Sequence, residues 1–142
     1  MNQMTRQQAM HGLLQGVAAD KLAYQGLLDL LEQQFQAALQ HRQARLGDIA
    51  AEISTLVDGM EARRRQRVEL AERLVGAQGG MAQVFALLKH EPRARLEADW
   101  AELEQMVRQA KATGKRNGDL LAEQYTIMEK VLKGEDQIYE PV

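Results

Sequence analysis

The chain has 142 residues, 45% of them hydrophobic but only 4% aromatic, so apolar surface comes mainly from Leu, Ala, Val, Met and Ile, which suit helices. With 18 basic and 20 acidic residues the net charge is −2, and no strong field favours nucleic acid or an anionic membrane. Cysteine is absent, which removes a disulfide framework, a thiolate nucleophile and Cys-ligated metal.

The N-terminus, Met1 to Gln8, lacks the basic-then-apolar layout of a secretory signal. Tyr24, Leu28, Leu31, Phe35 and Ala38 then recur in steps of four and three, one face of a helix expected over about 5–45. Whether that helix is continuous through Gly16 is open. Gly47 and Asp48 suit a helix end and an N-cap, so a second helix is expected over about 48–75. Its stripe of Ile49, Ile53, Leu56 and Met60 is interrupted by Arg63 and Arg67 before Leu70 and Leu74 resume it. Gly76, Gly79 and Gly80 break the chain, and a short apolar helix over about 81–89 follows. The uncharged run Leu74 to Leu88 is too short to span a bilayer, and the expected setting is the cytoplasm.

Pro92 falls just inside the start of the last helix, expected over 93–133. Its heptad seam runs from Leu96 and Trp100 through Leu103, Val107, Ala110, Gly114, Asn117, Leu121, Gln124 and Met128 to Val131. Gly134 is expected to end it, leaving a flexible acidic tail over 134–142. The predicted fold is all-α: one domain over 1–142, an elongated antiparallel helical bundle resembling a coiled-coil hairpin, with a long C-terminal helix. Such a rod is thin in cross-section, so an additional helix can complete it.

Catalytic chemistry does not assemble. His11, His41 and His90 are scattered, no Glu-x-x-His spacing occurs, and no phosphate-binding loop pattern is present. No enzyme, metal or cofactor is expected. The densest basic run, Arg63-Arg64-Arg65-Gln66-Arg67, has no stacking aromatics beside it and reads as a solvated helix face. Trp100 on the seam reads as core packing. Asn117 on the same seam fits a buried polar residue that fixes register.

The segments Trp100-Ala101-Glu102-Leu103, Arg116-Asn117-Gly118-Asp119-Leu120-Leu121 and Tyr139-Glu140-Pro141, with Leu27-Leu28-Asp29-Leu30-Leu31-Glu32 and the stretch from Ile49 to Leu56, resemble the FlgN family of flagellar secretion chaperones. The resemblance covers about 24–142 in layout. The chain departs from the family pattern at Gly114, where a second Asn often stands. The resemblance implies a cytoplasmic chaperone of the flagellar type III export system. Such a protein binds C-terminal segments of hook–filament junction proteins and delivers them to the membrane export gate, without a nucleotide. On that footing, a client-binding set is expected at Asn117, Leu120, Leu121, Ile127, Met128, Val131 and Leu132. Leu120, Ile127 and Leu132 widen the stripe beyond what one partner helix needs, and Met128 adds an adaptable surface. Ordinary core burial is the alternative for each. Ile138 and Tyr139, apolar residues in an acidic tail, are expected to dock at the export gate, with a frayed terminus as the alternative. The competing functional classes are a homo-oligomeric coiled-coil scaffold and a helical regulatory adaptor.

Overall fold

The structure is a computed structural model that describes the backbone of residues 4–139 and the side chains of residues 4–134. Four helices follow in chain order: α1 (Arg6–Leu39), α2 (Gln43–Val75), α3 (Met81–Ala86) and α4 (His90–Tyr139). No strand occurs among the described residues.

Helix α1 opens on a capping box. Thr5 Oγ1 accepts from the Gln8 amide at 3.1 Å, and Gln8 Oε1 accepts from the Thr5 amide at 2.9 Å. The helix then runs unbroken through Gly16. It ends at Leu39, earlier than its periodicity suggests. His41 takes a left-handed φ of 55°, the Arg42 amide donates to Ala37 O at 2.9 Å, and the His41 amide donates to Ala38 O at 3.2 Å. These two bonds form a Schellman motif in which a histidine occupies the position that glycine usually takes. Gly47 and Asp48, expected at this boundary, lie instead inside α2.

Helix α2 ends at Gly76, whose φ of +87° only glycine adopts without strain. Gly79 folds back so closely that a Cβ there would lie 2.8 Å from the Val75 carbonyl oxygen. The turn therefore needs both residues. Helix α4 has 50 residues and spans roughly 75 Å. It passes through Gly134, where the sequence suggested its end, and its backbone stays helical to Tyr139.

The hairpin of α1 and α2 is antiparallel, since Arg6 meets Leu74 and Asp20 meets Arg63 and Arg67. Helix α4 runs alongside α1 in the same direction: Lys21 pairs with Asp99 and Glu102, Asn117 with Leu31, and Gln124 with Ala38. Helix α1 is thus the central element, with α2 and α4 both packed on it. Among the described residues no Cα of α2 comes within 8 Å of α4.

The core tapers along the rod. At the α3 end it draws on all four helices, with Leu13, Val17, Leu70, Leu74, Val84 and Leu96 buried together. Further along it narrows to Leu27, Leu31, Met60 and Ala110. Trp100 packs against the thick end, and the Arg67 guanidinium lies 5.2 Å from its ring. Of the basic run, Arg63 and Arg67 hold the buried Asp20, while Arg64 and Arg65 hold Glu61.

Candidate functional site

Among the described residues the last hydrogen bond between α4 and α1 is made by Gln124, whose Nε2 donates to Ala38 O at 2.9 Å. Ala38 O, in the final turn of α1, also accepts from the His41 amide, so Gln124 occupies the second lone pair of a carbonyl already held by the turn. Beyond Gln124, α1 has ended, and α4 runs past the α1–α2 turn with its backbone helical to Tyr139, a projection of roughly 22 Å.

The heptad stripe does not stop where its support stops. Ile127, Met128 and Leu132 are each 56% exposed and Val131 is 58% exposed. Leu120 and Leu121, still level with α1, are half-buried. A groove of about 510 Å³ lies where the projection leaves the α1–α2 turn. Its walls are His41 and Gln43 on one side and Leu121, Tyr125, Ile127, Met128 and Val131 on the other. Leu120 and Leu132 continue the apolar surface outside this groove. Open apolar surface of this extent, on one helix flank, is the pattern of an interaction site.

Asn117 stands apart from these residues. It is 1% exposed, its Nδ2 donates to Leu31 O at 2.7 Å and Gln34 Oε1 at 2.8 Å, and its Oδ1 accepts from Arg116 at 3.1 and 3.2 Å. Both ends of the amide are committed inside the molecule. Arg116 reinforces the joint: its guanidinium lies 3.6 Å from the Phe35 ring centroid and donates to Glu32 at 3.1 Å. That hydrogen bond holds the Glu32 carboxyl below its ordinary range. The cluster locks α4 onto α1 in one register, and the register sets where the projection begins.

The side chains of Ile138 and Tyr139 lie outside the described residues. Three residues of the surface escaped sequence reasoning. Tyr125, 66% exposed, lies seven residues before Leu132 and extends the same flank; Leu39, 48% exposed, and His41 belong to the α1 terminus. Tyr125 carried a signal in that spacing. His41 carried none.

Among the described residues no group of three His, Cys, Asp or Glu side chains converges on a metal position. No described helix is long and apolar enough to cross a membrane. What the described residues of the site offer is shape and apolar area.

No curated protein and no solved structure matches the chain. A family model described as FlgN protein matches residues 4–134, nearly the whole chain and all of α1 to α3. With that match, the chain belongs to the FlgN family, a family of flagellar export chaperones.

Proposed function

We propose that this chain is a cytoplasmic, non-enzymatic chaperone that binds the C-terminal segments of hook–filament junction proteins and delivers them to the flagellar type III export gate. The observation that carries this reading is the unsupported apolar projection of α4 beyond Gln124. An amphipathic client helix lays its apolar face against Leu120, Leu121, Ile127, Met128, Val131 and Leu132. Asn117 contributes by holding the register and not by touching the client. A client that is disordered when free loses chain entropy on docking, which limits affinity and keeps release accessible without a nucleotide. Ile138 and Tyr139, at the end of the same helix, meet the export gate.

Double substitution Ile127→Asp and Met128→Asp tests the client surface. Both residues are more than half exposed, so the helical circular dichroism is expected to survive while binding of a junction-protein C-terminal fragment falls by at least about tenfold, as for loss of interface anchors. Loss of helicity together with binding would instead make these residues part of the fold. Replacing Ile138 and Tyr139 with Ser is expected to leave client binding intact and to lower export.

The scaffold alternative uses the same stripe, which can meet a second copy of the chain. Sedimentation of the client-free protein separates the two, since a scaffold is a stable oligomer without client.

A further inference from the structure

We propose that the open groove between α2 and α4, floored by α1, is a second docking site, for an amphipathic helix with an acidic polar face from another protein. This goes beyond the client surface and is separate from it: on α4 the groove ends at Lys111, roughly 20 Å along the helix from Gln124.

The groove exists because the bundle is not closed. Helices packed against each other have axes about 8–10 Å apart, which brings their backbones nearer still. Both α2 and α4 pack on α1, yet no Cα of α2 lies within 8 Å of α4 among the described residues. The space between them is about 310 Å³, with Tyr24 and Leu27 of α1 at its floor and Val57, Met60 and Val107 on its walls. Val57 remains 42% exposed. From Val57 to Arg67 on α2 the groove extends roughly 15 Å, about three turns of a docked helix.

Charge selects the occupant. Two carboxylates line the groove, and each is held by two arginines: Asp20 by Arg63 and Arg67, Glu61 by Arg64 and Arg65. Of these arginines Arg64 and Arg67 line the groove, so with Lys111 the lining carries three positive charges against two negative ones. Lys111, on the facing wall, has no carboxylate within 4 Å among the described residues. The chain as a whole has net charge −2, so this positive surplus is local to the groove. Apolar walls under a positive rim match a helix whose polar face is acidic.

Trp100, the single tryptophan, reports on the site, because Arg67 both lines the groove and lies over its ring. Two designed amphipathic peptides with one shared leucine face, and Glu or Lys on the polar face, are titrated against the full chain. The Glu-faced peptide is expected to change Trp100 emission saturably and to bind more weakly as salt rises. Arg64→Glu with Lys111→Glu should weaken it roughly tenfold, and Val57→Asp comparably, with circular dichroism unchanged. Ile127→Asp with Met128→Asp should leave it intact, so failure of the client surface and failure of this groove are read separately. Equal binding of the Lys-faced peptide, indifference to the groove substitutions, or loss only with the α4 projection overturns the proposal. So does self-association of the free chain that Val57→Asp abolishes, which would give the groove to a second copy. Displacement of the peptide by single-stranded RNA at equal charge would likewise overturn it, by assigning the site to a polyanion.

Discussion

A buried amide is costly unless all its polar atoms are satisfied, and Asn117 satisfies them across two helices. Replacing it with Ala removes the cross-helix bonds to Leu31 and Gln34 and leaves a small void in the α1–α4 seam. A loss of about 2–3 kcal/mol is expected, measured as a fall in the urea midpoint. The exposed pair at Glu61 makes a different kind of claim. The Arg64 guanidinium, with Arg65 behind it, holds the Glu61 carboxyl at about 2 against an ordinary 4.5. The folded value lies below the unfolded one, so the pair's contribution is complete above pH 4.5 and is lost as pH falls toward 2. In Arg64→Gln the Glu61 carboxyl should titrate nearer 4.5, followed by carbon NMR, and the loss of stability on acidification should be shallower. Titration of Glu61 near its ordinary value in the parent chain would remove the pair from any account of this surface.

Helices are the scale at which this sequence is most readable, because each stripe needs only its own chain to be seen. The alternating steps of Tyr24 to Ala38 and of Leu96 to Gln124 correspond to faces that are buried or half-buried. What one stripe cannot say is where its partner stops. The seam of α4 runs evenly past Gln124 to Val131, but α1 ends at Leu39, and that end depends on His41 adopting a conformation more typical of glycine. The proposed client surface is legible as residues and illegible as a surface, since exposure there follows from the length of another helix. The buried Asp20, held by the half-buried Arg63 and Arg67, left a clearer trace: an acid interrupts the α1 stripe at the level where two arginines interrupt that of α2. A helical segment of this length is marginal by itself in water. Amides of α4 beyond Gln124 should therefore exchange hydrogen far faster than those between Leu96 and Asn117, by about 100-fold or more, and slow on client binding. Uniform protection along α4 in the free chain would mean that something already covers the projection.

Taken whole, the molecule has its four-helix core cluster at one end and its open apolar stripe at the other, where Ala37, Ala38 and Ile49 are buried near the α1–α2 turn. Among the described residues the last buried side chain on α4 is Asn117, and the clustered core residues of α4, Leu96, Leu103, Met106 and Ala110, all precede it. The core residues of α4 and the exposed members of the proposed client set, Ile127 to Leu132, therefore occupy different lengths of the same helix, which is why a cut can separate them. Ending the chain after Gln124 keeps the hydrogen bond to Ala38 O and every residue buried among the described ones, and removes Ile127, Met128, Val131 and Leu132. The melting temperature should shift by less than about 4 °C, since little apolar area is lost from the core. Binding of the junction-protein fragment should vanish in the same sample. A collapse in melting temperature would show that α4 supports the hairpin through its far end, and the division between a folded base and a binding projection would fail. Retained binding by the shortened chain would move the client onto the bundle itself, leaving the exposed stripe of α4 without a role.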